Sequence, residues 1–428
     1  MMSICQSGKN RTAYEYTEVN GIICRYLCPA PAGTFVKEKF IRRWSNTSQW
    51  PNNVLPQAGD RVEVHGNWTV LLDVDPPALD QLIIDGTLFL DDTRDVNITA
   101  NWIHIRAGNF SAGSSGNPFI HKLTIQVNGN KADNGYYIDP ILAGNKHMVV
   151  TGTLELYGPT PSTTISYMTE TTMSGSDIIK VASMTDWQVG DTLVIAPSFS
   201  YTVQQHETRT ISSINNDGTI TLNSPLTYTH YGSSSNTISN NYGTLDARTR
   251  VGHVNRNIMI VPGPDVNWGF SVTVYGFRDT NNNTWIGNAQ LTGVQFLNGG
   301  QLDTYNSPLK FLNTFTSTIR SNIKDSSFIN CKANCVKIDN AKSITMTGNV
   351  LYNVWVIGIQ ADSVADISIS NNVIIGVSGR SSMPEGTDLT ACMAVVNYPS
   401  PTDKVIVRNN YCQGSTQHGY AFTFVKCN

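Results

Sequence analysis

Charge is scarce in this chain. Only 14% of its 428 residues are Asp, Glu, Lys or Arg, against roughly 25% in ordinary globular proteins. The solvent-facing surface must therefore be carried by Asn, Ser, Thr and Gly. Lys and Arg number 29 against 32 Asp and Glu, leaving a net charge of −3. No basic field exists to attract phosphate backbones or anionic lipid, and neither nucleic acid nor a membrane surface is expected as a partner. The chain has no apolar run of roughly 18 residues, which excludes a spanning helix within it. The opening stretch MMSICQSGKNRTAYEYTE lacks the apolar segment of a secretory leader, so the expectation is a leader removed before this numbering starts. Helical periodicity is almost absent, because Gly, Pro or β-branched runs interrupt nearly every window of three-and-four spacing. Three signatures of catalysis or metal binding are also missing. The eight His contain no i,i+4 pair and no HExxH, no Gly-X-Ser-X-Gly elbow occurs, and no acidic segment has EF-hand spacing. A zinc hydrolase, a serine triad and an EF-hand are thus unsupported.

What is present is β-structure. The chain is 40% hydrophobic, enough for a large core, and its length allows about three domains at roughly 150 residues each. Between Asp60 and Ile125, short alternating segments (RVEVHG, WTVLLD, QLIIDGTLFL, WIHIRAGNF, KLTIQVNG) are each bounded by Gly, Asn, Asp or Pro, the pattern of successive strands. A second stretch of this kind runs from Met148 to Leu226. The last third repeats itself. Aligning SITMTGNVLYNV, DISISNNVIIGV and KVIVRNNYCQG superposes Asn349, Asn372 and Asn410, with the first two copies 23 residues apart and a looser copy at SSFINC 22 residues earlier. A spacing in the low twenties with period-2 apolar positions reads as stacked coils of a β-solenoid. The recurring Asn is expected at a turn, in a left-handed conformation and bonded to its equivalent one coil away. The third spacing is 15 residues longer, and a projecting loop over 381–403 is expected there.

Eight cysteines and six Asn-X-Ser/Thr acceptors, at Asn10, Asn46, Asn67, Asn97, Asn109 and Asn282, point to an oxidising, extracellular setting. Cys24-X3-Cys28 and Cys331-X3-Cys335 are loose for a four-thiolate metal site, and disulfides are the expectation for Cys5, Cys24, Cys28, Cys331, Cys335, Cys392, Cys412 and Cys427. Three lie near the N-terminus and five in the repeats. These odd-numbered groups cannot each pair internally, so a bridge between the groups or to another chain, or free thiols, is implied. Asp73-Val74-Asp75 and Asp91-Asp92 group oxygen ligands that could hold Ca²⁺ but read first as solvated turns, and no cofactor is expected. Glu207 and Arg209, two apart on one strand, face the same side and could pair. Trp268 and Trp285 are candidate sugar-stacking platforms.

The order of blocks Gly59–Val64, Trp68–Asp73, Leu82–Leu88 and Ile103–Gly108, continued by Gly152–Gly158, Asp186–Asp191, Glu207–Ile211, Ser224–Leu226 and Val251–Ile258, resembles the G8 domain of fibrocystin-like and cell-surface hyaluronidase-like extracellular proteins and the repeats that follow it. The resemblance spans roughly 45–428. It implies an extracellular glycoprotein of all-β class, a G8-like strand domain leading into a right-handed parallel β-helix. The domain reading is a cysteine-bearing extension over 1–45, the G8-like domain over 46–160, a β-rich insertion over 161–250 and parallel β-helix repeats over 251–428. Relatives of this group depolymerise hyaluronan. In the block corresponding to their paired histidines this chain has Lys310 and Leu312; leucine can neither carry a proton nor bind a metal. The expected function is a non-catalytic secreted structural or adhesive protein that associates head to tail into a matrix or filament, with no catalytic residue assigned. One alternative is a polysaccharide-binding or polysaccharide-degrading protein acting through Asp73, Asp75 and Arg209. The other is an ectodomain piece of a fibrocystin-like receptor.

Overall fold

The computed structural model describes residues 17–19, 22–24, 40–138, 141–198, 202–233, 237–240, 243–302, 304, 306–379, 389–396 and 404–422. Its strands stack in parallel, coil upon coil, into three ladders. The first is a ten-stranded sheet that begins at Ile41–Arg43 and ends at Val405–Arg408. The second runs from the N-terminal half of Val96–Ile105 through Leu123–Val127, Ile258–Pro262 and Val350–Trp355 to Tyr411–Ser415. The third runs from Arg61–Val64 through His147–Val150 and Leu309–Leu312 to His418–Phe422. The protein is thus a parallel β-helix. The ladders pass without interruption through both the G8-like stretch and the repeats. Thr153–Tyr157, for instance, pairs with Asn109–Ala112 on one side and with Asn288–Thr292 on the other.

Alternation explains the interior. In Leu123–Val127 the residues Leu123, Ile125 and Val127 are buried while Thr124 and Gln126 are half-buried, as a strand with one face on a core requires. Phe270, Phe296 and Phe328 stack one above another inside, with centroids 6.3 and 4.5 Å apart. At the N-terminal end of the described solenoid, Trp44, Trp50 and Trp68 meet edge to face, and Trp50 Nε1 donates to Trp44 O at 2.8 Å. These rings close the core from above.

Between Tyr157 and Ile258 the chain leaves the solenoid and builds a six-stranded antiparallel sheet in the order Ile165–Tyr167, Arg250–His253, Thr192–Ile195, Glu207–Ile214, Thr219–Leu222, Ile178–Lys180. One face holds its own core, with Leu193, Ile195, Ile211, Ile220 and Val251. The other face, through Val194, Ala196 and Val254, lies on the outside of the solenoid against Ile329, Val350, Tyr352, Val373 and Ile375. The apolar runs VLYNV and VIIGV are therefore buried on both faces.

Two sequence expectations are corrected in detail. The longer third spacing is not one loop. Within it Ala391–Val396 forms a strand pairing with Ile357–Asp362 and His418–Phe422, so the extra residues fall on both sides of a regular coil position. The ladder Asn residues are also not the left-handed ones. Positive φ belongs to the residue before each, Gly348 (71°), Asn371 (57°) and Asn409 (54°), which frees Asn349 and Asn372 to point fully inward.

Candidate functional site

The residues singled out in the sequence are dispersed by the fold. Asp73 accepts from Ser45 N at 3.0 Å and Ser45 Oγ at 2.7 Å, beside Arg43. Asp75 pairs with Arg94 at 2.6 Å and accepts from Asn97 N and Nδ2, both at 3.1 Å. Both carboxylates thus fasten turns of the first coils. Arg209 belongs to the inserted sheet, where it pairs with Glu207 and donates to Pro225 O. It shares no partner with either aspartate. Glu207 is buried, and its carboxylate takes Thr227 N and Tyr228 N at 2.8 Å and sits 3.0 Å from His230 Nε2. Burial opposes its ionisation, yet these bonds hold its carboxyl below the ordinary value. Asp92 accepts from Ile120 N at 3.0 Å and lies 3.1 Å from His121 Nδ1. Among the described residues no three His, Cys, Asp or Glu side chains converge as metal ligands.

Lys310 and Leu312 lie on the third ladder. Lys310 stands in register with Thr273 and Lys337, Leu312 with Tyr275 and Asp339. Burial, then the charge of Lys337, lowers the Lys310 ammonium below its ordinary value. Of the glycosylation acceptors, Asn46, Asn67, Asn97 and Asn282 are exposed. Asn109 is half-buried in a ladder strand and donates to Glu155 Oε2 at 2.8 Å, and Asn10 lies outside the described residues. Disulfides join Cys331 to Cys335 and Cys392 to Cys412. Cys5, Cys28 and Cys427 lie outside the described residues, and Cys24 is described as backbone only, in Ile22–Cys24. Asn349, Asn372 and Asn410 form the expected ladder, Asn349 Nδ2 donating to Asn372 Oδ1 and Asn372 Nδ2 to Asn410 Oδ1, each at 2.9 Å.

A second asparagine ladder, not read from the sequence, borders an open groove. At the corner between the second and third ladders Asn298, Asn330 and Asn353 all adopt positive φ, 56°, 57° and 53°, which asparagine tolerates better than most residues. Asn330 Nδ2 donates to Asn298 Oδ1 at 2.9 Å and Asn353 Nδ2 to Asn330 Oδ1 at 2.8 Å. The Asn298 amide NH₂ at one end and the Asn353 amide oxygen at the other make no hydrogen bond with a described residue. The groove, of about 450 Å³, is lined by these three together with Asn267, Leu302, Lys332 and Trp355. Cys331 and Val354 are paired across adjacent coils, so Lys332 and Trp355, the residues that follow them, occupy neighbouring positions along the groove. Trp355 is 37% exposed, unusual for so large an apolar side chain. Neither Trp268 nor Trp285 offers such a face. Trp268 is buried and donates to Asn145 Oδ1 at 2.7 Å, while Trp285 stacks on Phe277 and donates to Asp279 Oδ2.

Amides that both donate and accept, a flat apolar ring and an ammonium in one open cleft suit a ligand with hydroxyls on its edges and C–H groups on its faces. Adjacent coils are about 4.8 Å apart, close to the length of one sugar ring.

Residues 49–169 match the family model of the G8 domain, which bears out the resemblance read from the strand blocks. The chain is 33% identical over 284 residues to human fibrocystin-L, an alignment covering 60% of this chain and 6% of that protein. It is 25% identical over 388 residues to dog fibrocystin, covering 81% of this chain and 9% of the relative. The chain therefore spans less than a tenth of these relatives. Similarity extends to protein rliB of Dictyostelium discoideum, 25% identical over 76% of this chain and 28% of that one. Among solved structures, the gp54 tailspike of Acinetobacter baumannii bacteriophage AP22 aligns over 90% of this chain and 70% of its own, at 9% identity and a TM-score of 0.22.

Proposed function

We propose that this G8-containing β-helix is an extracellular segment of a fibrocystin-like protein that binds a saccharide and does not cleave it. The observation that carries the reading is the groove along Asn298, Asn330 and Asn353 with Trp355 at its edge. A pyranose laid on the exposed indole would bury its C–H face, while the unpaired amide ends of the ladder meet its hydroxyls. The extracellular setting is supported by the Cys331–Cys335 and Cys392–Cys412 disulfides and by the exposed acceptors Asn46, Asn67, Asn97 and Asn282. Binding without cleavage is supported by Lys310 and Leu312 standing at the family's histidine positions.

The test is a glycan array probed with the whole chain, compared with Trp355→Ala and with Met173→Ser, a change of an exposed residue in a connection of the insertion. Binding that survives Met173→Ser and is lost in Trp355→Ala is expected, without release of new reducing ends. An array with no bound saccharide, or binding indifferent to Trp355, contradicts the reading. Head-to-tail association by strand addition, with or without an intermolecular disulfide, is a separate proposal. A native mass corresponding to a monomer under both oxidising and reducing conditions contradicts it.

A further inference from the structure

The groove holds one cation whose placement is not explained by the fold. Lys332 is half-buried on the groove wall, and its ammonium forms no hydrogen bond or ion pair with a described residue, although Asp265 exerts some attraction on it. Its neighbours are already engaged. Asp265 Oδ1 accepts from Asn267 N at 3.2 Å and Trp268 N at 3.3 Å. Lys146 is fully buried and donates through Nζ to Asp265 O at 2.8 Å, close enough to feel the charge of Lys332. Lys131 lies over the Trp268 ring at 5.3 Å, and Asp133 Oδ2 accepts from Asn130 N at 2.6 Å. Lys146 and Lys332 both feel the charge of Asp265, and of these two Lys332 is the one that lines the groove. Burial, partly offset by Asp265, lowers the Lys332 ammonium from its ordinary value.

We infer that the groove selects an acidic saccharide, a chain of sugars whose carboxylate or sulfate seats on Lys332 while a neighbouring ring stacks on Trp355. The inference rests on the saccharide-binding reading and deepens it. Lys332 and Trp355 occupy adjacent coils, so the acid and the stacked face belong to the same or successive sugar residues. The Asn298–Asn330–Asn353 amides run alongside and take hydroxyls. An anion here gives Lys332 a direct charged hydrogen-bond partner, which a neutral sugar does not supply.

The experiment is a calorimetric titration of the whole chain with matched oligosaccharides: a uronate-containing chain, the same chain with its carboxyls reduced to alcohols, and a sulfated chain of equal length. A charged hydrogen bond corresponds to about a tenfold difference in affinity. At least that preference for an acidic ligand over its reduced form is expected, weakening as salt is raised. Lys332→Gln is expected to abolish the preference while retaining the neutral affinity, and Trp355→Ala to weaken acidic and neutral ligands alike. Whichever of the uronate and sulfated chains binds more tightly identifies the acid. Equal affinity for the acidic and reduced chains, or a preference that persists in Lys332→Gln, overturns the inference and leaves saccharide binding itself intact. No binding of any of the three ligands overturns both. Melting curves of the two variants matching that of the wild type keep loss of fold from being read as loss of a contact.

Discussion

At the scale of single residues, the interior asparagines contribute most visibly. Asn372 is fully buried. It accepts from Asn349 N at 3.0 Å and from Asn349 Nδ2, and donates to Met346 O at 3.2 Å and to Asn410. Removing that side chain leaves buried donors and an acceptor unpaired, each costing about 1–3 kcal/mol. Asn372→Ala is therefore expected to destabilise the fold by about 2–4 kcal/mol, measured by denaturant unfolding; a change below about 0.5 kcal/mol would contradict the ladder's role. His104 and His147 are also buried, and burial lowers both to about 4, from 6.5. For His104 the charge of Arg106 adds to the effect and Asp85 opposes it. The unfolded chain takes up protons below pH 6.5 that the folded chain refuses until about pH 4. Stability is thus complete above pH 6.5 and falls as pH drops toward 4, by about 1.4 kcal/mol per pH unit for each histidine. Melting temperatures recorded across that window check the sign, and a flat profile would refute it. Asn109, half-buried in the first ladder and bonded to Glu155, is expected to stay unglycosylated while Asn46, Asn67, Asn97 and Asn282 are accessible to modification. Site-resolved mass spectrometry of the protein expressed through a secretory pathway decides this.

At the scale of elements, the inserted sheet is held to the solenoid by shape and by a few polar pins. His206 Nδ1 lies 2.7 Å from Tyr352 OH, Thr208 Oγ1 donates to that oxygen at 3.0 Å, and Gln413 Oε1 accepts Arg250 N at 2.7 Å. At the base of the insertion Arg256, which burial lowers to about 10 despite Asp325 and Asp191, donates to Asp325 O at 2.7 Å. Gly252 sits where the sheet touches the coil. A Cβ there would lie 2.7 Å from Val350 Cγ1 and 3.0 Å from Val194 Cγ2. Gly252→Val is expected to cost about 1–3 kcal/mol of docking energy and to raise proteolysis within 161–256 while the parallel ladders persist. Unchanged cleavage kinetics would show that the contact is slack. This docking also explains what the sequence concealed. The repeats were legible because Ile344, Ile367 and Val405, and the Asn that follow them, recur at coil spacing. A stretch buried on both faces, such as Val350, Leu351 and Tyr352, carries no polar alternation to signal which side is covered, or by what. Ala391–Val396 was hidden for a related reason, since flanking extra residues broke the period that would have marked it.

At the scale of the molecule, stacking coils turns small local preferences into long continuous lines. The sequence spacing predicts the inward line of Asn349, Asn372 and Asn410, because those residues align in repeats of nearly equal length. Asn298 and Asn330 of the outward corner sit in looser copies, and in the copy after Asn353 its place is taken by Gly376, so this line escapes the same reading. Trp355 is equally illegible, because an apolar residue closing an apolar run reads as core, and only the turn at Val356, with φ of 75°, brings it to the surface. Asp73, Asp75 and Arg209 illustrate the opposite case. Charged residues attract attention, but here each neutralises a local partner, Arg43, Arg94 and Glu207. The saccharide site proposed for this solenoid lies on a corner line where coils present amides, an indole and an ammonium. Hydrogen exchange of the whole chain, measured with and without a bound acidic oligosaccharide, tests this most directly. Slowed exchange confined to 298–302, 330–332 and 353–356 is the predicted result. Protection appearing instead on the inserted sheet or along Leu309–Leu312, with the corner unaffected, would contradict it.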